Sequence, residues 1–141
     1  EIDLCWRLWS AGWRVMVEPR SVVYHLGGDT LPNESPRKLY LNYRNNLSML
    51  FKCAPVWQRC VVAVARPAAD MLSALIYLLK GQPSLAGATM RAYWDFLRLH
   101  RSLAKKRHAV RTSRKTESSQ IYGGSIILRY ALGKKRFDNM K

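Results

Sequence analysis

Acidic residues are scarce in this 141-residue sequence: nine Asp and Glu stand against 24 Lys and Arg, a formal net charge of +15. An excess of that size points to partners of negative charge, whether nucleic acid, anionic lipid headgroups or phosphorylated substrates. Cysteine is scarce too. Cys5, Cys53 and Cys60 are odd in number and lack C-x-x-C spacing, so neither a disulfide framework nor a zinc site is suggested, and a reducing compartment fits. The opening has neither an initiator Met nor the basic and then apolar text of a signal peptide, so the expectation is a segment of a longer reading frame. Long apolar runs are missing as well. A spanning helix wants about 20 predominantly apolar residues. Within the most apolar block, residues 56 to 80, the longest uncharged run is "MLSALIYLL", with Arg59, Arg66, Pro67 and Asp70 before it. A single-pass anchor is therefore not expected there, and a kinked, amphipathic helix pair is, with Arg66 and Asp70 pairing at i,i+4.

What is present suffices for a core, since 48% of the residues are hydrophobic. Residues 1 to 11 set Leu4, Leu8 and Ala11 on one helical face, with Asp3 and Arg7 at i,i+4 and Gly12 as terminator. "WRVMVEP" alternates Trp13, Val15 and Val17 against Arg14, Met16 and Glu18, and "SVVYH" resumes β-branched text after Pro19, so two short strands are expected. "LGGDTLPNESPRK" reads as a long loop of the functional kind. A helix follows from Lys38 to Lys52, carrying Leu39, Tyr43, Leu47, Leu50 and Phe51 at helical spacing and stopping near Pro55. Residues 84 to 107 read as one long amphipathic helix. Just downstream of Tyr93, Trp94 and Phe96, the stretch Arg98 to Lys115 holds eight Lys or Arg and no acid, the pattern of a membrane-surface helix or of a solvated basic helix end. "RTSRKTESSQ" is a polar tether, and "GGSIILRYALGKKRF" a short last element.

Three groups carry a chemical signal: the acids Glu1 and Asp3 on a helix start, His25 at the end of a strand, and Gly27 and Gly28, which let backbone approach a ligand closely. Singly, each has an ordinary explanation. Acids suit the first turn of any helix, and a His beside Tyr24 is commonly a hydrogen-bonded structural residue. Arg37, Lys38 and Arg44 are equally well read as diphosphate contacts or as solvated helix-face charges.

Taken in order, the leading acid, D-L-C-x-R, a Gly some residues on and V-x-P-x-x-x-V-Y-H-x-x-G resemble the C-terminal half of family 2 glycosyltransferases of the GT-A fold, the bacterial rhamnosyltransferase-like members in particular. The resemblance covers residues 1 to about 52, and "SPRKLYLNYRNN" is similar to the helix that follows the family's His motif. It implies that Glu1, here in place of an Asp, is the base for the acceptor hydroxyl, helped by Asp3. It implies that His25 is a ligand of Mg or Mn, with most ligands outside this sequence, and that Arg7, Gly27, Gly28, Arg37, Lys38 and Arg44 bind substrate. The implied partners are a nucleotide diphosphate sugar donor and a saccharide or polyprenyl-linked acceptor, and the implied reaction is inverting.

The expected fold class is mainly α with a short β portion. Residues 1–52 form the end of a GT-A catalytic domain, 53–111 the membrane-associating helices, and 112–141 a tether and short helix. The place of work is cytoplasmic, peripheral on the inner face of the plasma membrane. Because no D-x-D occurs, this sequence alone should be inactive. A basic nucleic-acid module is the rival from the binding class; helix-turn-helix, zinc and RNP patterns are lacking and the charge gathers after Arg98, so no nucleic acid is expected as partner. A non-enzymatic membrane-surface scaffold is the third reading.

Overall fold

The computed structural model describes residues 1–24, 35–115, 129–130 and 132–133. Five helices account for its ordered elements: α1 (Ile2–Ser10), α2 (Pro36–Cys53), α3 (Val56–Leu79), α4 (Pro83–Arg98) and α5 (His100–Thr112). Each boundary has a local cause. Helix α1 ends on Gly12, whose φ of 84° lets the Trp13 amide reach back to the Leu8 carbonyl at 2.9 Å. Gly81, at φ 71°, does the same for α3 through a 2.8 Å bond from the Gln82 amide to the Tyr77 carbonyl. Helix α2 starts where Ser35 caps the Lys38 amide at 3.2 Å with Pro36 in the first helical turn, and stops where Pro55 cannot continue it.

Helix α4 is the centre of the arrangement. It packs on α2 along one side and on α3 along another, while α5 lies on α2 and α1 rests on the C-terminal end of α2. The close approach of α4 follows from its small buried residues, Ala86, Ala88, Thr89 and Ala92, of which Thr89 and Ala92 are fully enclosed. Thr89 satisfies its hydroxyl on the Leu85 carbonyl. A second cluster, Trp6, Cys53 and Ala54 with Met49 and Leu50, joins α1 to α2.

The short β portion is corrected: among the described residues there is no strand, and the described chain is all-helical. The segments read as strands, 13–19 and 21–24, are irregular, and Val17, Val23 and Tyr24 are 87, 83 and 95% exposed. A strand exists by pairing, and the five helices offer these segments no sheet edge on which to pair. The GT-A α/β fold class is overturned with it for the residues described. Three smaller corrections follow the same logic of tertiary contact. The face of α1 that turns inward is Asp3, Trp6 and Ser10, because the Trp6 ring fills the space above Cys53; Leu4 is exposed. Residues 56–79 form one helix through Pro67 instead of a pair. The helix expected over 84–107 is interrupted at Leu99 and runs on as α5.

The C-terminal end of α2 is held by two arginines. Arg107 of α5, only 9% exposed, donates from Nη1 to the carbonyls of Phe51 at 2.6 Å, Ala54 at 3.1 Å and Lys52 at 3.3 Å, and Arg114 donates from Nη2 to the Cys53 carbonyl at 2.7 Å. Helix ends leave their last carbonyls without intrahelical donors, and a cation there also meets the negative pole of the helix dipole. Replacing Arg107 with Met keeps the apolar stem but strands those carbonyls. Arg107→Met is expected to lower the unfolding free energy in urea by about 2–4 kcal/mol, and Lys106→Met, on the exposed side of α5, by less than about 0.5 kcal/mol.

Candidate functional site

Glu1 and Asp3 open onto a polar cleft of about 570 Å³ between the start of α1 and the side of α2. Asn42, Asn45, Asn46, Ser48, Met49 and Lys52 form the α2 wall. Their three- and four-residue spacing is what places them on one helical face. Asp3 is the fixed member. Its carboxylate accepts from Lys52 Nζ at 2.7 Å and Arg7 Nε at 3.1 Å, and from the Cys53 thiol at 3.7 Å. Burial pulls the Asp3 pKa up, yet the Lys52 bond and charge, with Arg7 behind them, outweigh it and leave the group below its ordinary value of 3.8. Burial, and then the Asp3 carboxylate, push the Cys53 thiol up to about 11, so it is a structural, protonated sulfur.

Glu1 differs from its neighbour. It sits at the N-cap of α1 without a capping bond, is exposed, and among the described residues makes no ion pair or hydrogen bond through its carboxylate. A carboxylate that is free to turn into a cleft can accept a proton from a hydroxyl there; one clamped by two cations is a weak base.

The remaining residues singled out in the sequence do not converge on this cleft. Arg7 is occupied with Asp3. Arg37 and Lys38 lie in the first turn of α2, and the 15 residues from Arg37 to Lys52 correspond to about 22 Å of helix. Arg44 belongs to a different cluster: it donates to the Tyr40 hydroxyl at 3.2 Å and to Asn45 Oδ1 at 3.0 Å, while Tyr40 donates to Asp95 of α4 at 2.6 Å. Arg44 and Arg91 both stack on the Tyr40 ring, at 5.2 and 5.3 Å from its centroid. His25, Gly27 and Gly28 lie outside the described residues. Among the described residues no three His, Cys, Asp or Glu side chains gather as a metal ion requires, and Asp3 is already neutralised by two cations. The described residues do not by themselves assemble a shell for Mg or Mn.

Sequence reasoning missed Lys52 and the asparagines. The signal was the polar stripe Asn42, Asn45, Asn46, Ser48 and Lys52 on a helix whose opposite face is apolar. It also missed the buried network that joins α3 to its neighbours. Asp70 accepts from Arg66 Nε at 2.8 Å and from the Tyr93 hydroxyl at 2.7 Å, and Arg66 reaches Asn46 Oδ1 at 3.3 Å. The i,i+4 pairing of Arg66 and Asp70 stands as expected. Burial first, and then the Asp70 bond, push the Tyr93 phenol above its ordinary range.

No family model matches the chain, and neither the curated proteins nor the solved structures contain a significant match to it.

The Asp3 contacts set a pH dependence whose sign is fixed by the lowered pKa. The stabilisation is complete above the unfolded value near 3.8 and is lost as pH falls through the lower folded value. Asp3→Asn is therefore expected to be less stable than the parent at neutral pH, with the gap closing below about pH 3.8. Urea titrations of both proteins from pH 7 to pH 2.5, on the order of five points, check it.

Proposed function

We propose that this chain is part of a membrane-associated glycosyltransferase that moves a sugar from a nucleotide diphosphate donor to a hydroxyl of a glycan or polyprenyl-linked acceptor. The observation that carries the reading is the division of labour between two neighbouring carboxylates: Asp3 is clamped by Lys52 and Arg7, while Glu1 is free in the polar cleft. Glu1 takes the proton of the acceptor hydroxyl as its oxygen bonds to the anomeric carbon and the nucleoside diphosphate leaves from the opposite face, with inversion. Asp3, through Lys52, holds the start of α1 against α2 and so keeps Glu1 at the mouth of the cleft. The Asn42 amide, with the NH2 groups of Asn45 and Asn46, whose oxygens accept from Arg44 and Arg66, suits the hydroxyl pattern of a saccharide.

The membrane side rests on α3 and α5. Helix α3 is long and apolar enough to cross a membrane, with mean hydropathy 1.5 and only 11% of that stretch buried. Its charged residues Arg66 and Asp70 are turned to α2 and α4, whereas Trp57, Val61, Val64, Leu72 and Leu79 face outward. A helix split in this way suits the headgroup boundary, with its polar side on protein and its apolar side in lipid. Of the basic run, Arg101, Lys105, Lys106 and Arg111 are exposed, and Arg98 stacks on the exposed Trp94 at 5.1 Å. Tyr93 and Phe96 are turned inward, to Asp70 and Phe51, so the exposed aromatics of α3 and α4 are Trp57 and Trp94. The place proposed is the inner face of the plasma membrane. A non-enzymatic scaffold at the same surface is the second reading, favoured by the exposure of α3 and indifferent to Glu1.

Two measurements test this. In the enzyme that carries this chain, assayed over a panel of nucleotide diphosphate sugars, Glu1→Gln is expected to reduce turnover by about 10²–10⁴ with donor binding nearly unchanged. Parent-like turnover would remove Glu1 from the chemistry. In vesicle sedimentation, each exposed Lys or Arg near an anionic surface contributes roughly 1 kcal/mol before screening. Binding to anionic vesicles is expected to weaken with salt without vanishing, because α3 adds an apolar component. Full recovery in the supernatant at low salt contradicts the surface reading.

A further inference from the structure

Between α2, α3 and α4 runs an open apolar groove of about 430 Å³, within the range of sites that take small molecules. Its existence follows from the packing: α3 lies on α4 rather than on α2, so the apolar residues of α2 and α3 face each other across a gap. Leu47, Leu50 and Phe51 line one side, Ala63 and Pro67 another, and Phe96 and Leu97 the floor. The eight helical steps from Arg59 to Pro67 correspond to about 12 Å of helix, the length over which α3 borders the groove.

One end is cationic. There Arg59 stacks on the Phe51 ring at 5.7 Å, with His100 edge-on to the same ring at 5.3 Å. The Phe51 carbonyl is the one that Arg107 holds at 2.6 Å, so Arg59 and the arginines of α5 share this end of α2. Burial first, and then the charges of Arg59, Arg111 and Arg114, lower the Arg107 pKa, as expected in a positive field. Arg107 and Arg114 are spent on backbone carbonyls. Arg59 makes no such bond: its Nε, like that of Arg114, is buried without a hydrogen-bond partner, and among the described residues no acid pairs with it. A buried donor left unpaired in a positive field is the complement of an anion.

We propose that this groove holds the hydrocarbon chain of an anionic lipid, with the lipid phosphate bound by Arg59 at the Phe51 end. The chain lies along Leu50, Ala63 and Leu97, and the arginines of α5 supply the long-range field. The outward apolar face of α3 brings the groove to the lipid boundary, so the proposal rests on the surface reading above for how lipid arrives, and not for how it is held.

The test uses monomeric probes on the 141-residue chain, so that groove binding is separated from vesicle attachment. Dodecyl phosphate, dodecyl maltoside and inorganic phosphate are titrated calorimetrically below the micelle concentration of each surfactant. Dodecyl phosphate is expected to bind saturably at one site, more tightly than dodecyl maltoside, with inorganic phosphate a poor competitor. Arg59→Gln is expected to weaken dodecyl phosphate by about tenfold or more while leaving dodecyl maltoside unchanged. Leu97→Glu, at a position 62% exposed and so tolerant of change, is expected to weaken both surfactants. Vesicle attachment lost while dodecyl phosphate binds as described removes the surface reading and leaves this one standing. The proposal is overturned if inorganic phosphate displaces dodecyl phosphate at equal concentration, which makes the site a simple anion site. It is overturned equally if Arg59→Gln and Leu97→Glu both bind like the parent, or if the chain dimerises through the groove and takes up no lipid.

Discussion

The bonds from Arg107 to the last carbonyls of α2 are the constraint on which the other contacts depend. They fix where α2 ends, and that end is where α1, α3 and α5 meet: Trp6 packs on Cys53 and Ala54, Pro55 turns the chain into α3, and Arg114 takes the Cys53 carbonyl. A neutral side chain could fill the same space, but it would leave several peptide carbonyls dry and unpaired. The charge is tolerable because it spends itself on the negative pole of a helix, and the remaining arginines of α5 are left for the outside.

Glu1 and Asp3 show how a single contact separates two like groups. Both belong to the first turn of one helix, yet Lys52, ten residues beyond Asn42 on the same polar face, reaches Asp3 and not Glu1. One carboxylate thereby becomes a structural anchor and the other stays available. The polar cleft and the apolar groove lie on different faces of α2, one against α1 and the other against α3 and α4. One helix thus offers an apolar space on one face and a polar one on another.

The helices were legible in the sequence because their signals are local. Pro55 stops α2, Gly12 terminates α1, and the spacing of Arg66 and Asp70 already paired them; the cap at Ser35 that starts α2 at Pro36, ahead of the expected Lys38, was not read. The strands were not, because alternation in "WRVMVEP" records a preference that only a neighbouring strand can realise. The inward face of α1 was misjudged for a related reason: Leu4 and Leu8 are more apolar, but Trp6 is larger and has Cys53 beneath it. Of the candidate site, Glu1 and Asp3 were visible as acids on a helix start, whereas Lys52 and the asparagine stripe acquire meaning only when α1 is laid on α2. Arg107 was hidden inside a run of eight basic residues, where composition gives no hint that one member is buried.

The amide of Lys115 donates to the Ser10 carbonyl at 2.8 Å, and the Lys115 side chain lies 3.6 Å from where a Cβ on Gly12 would be. The chain leaving α5 is thereby stitched to the far end of α1. The exit of α5 is thus tied to the shortest of the five helices, at the end opposite the free carboxylate, so the residues that follow α5 leave the molecule beside α1.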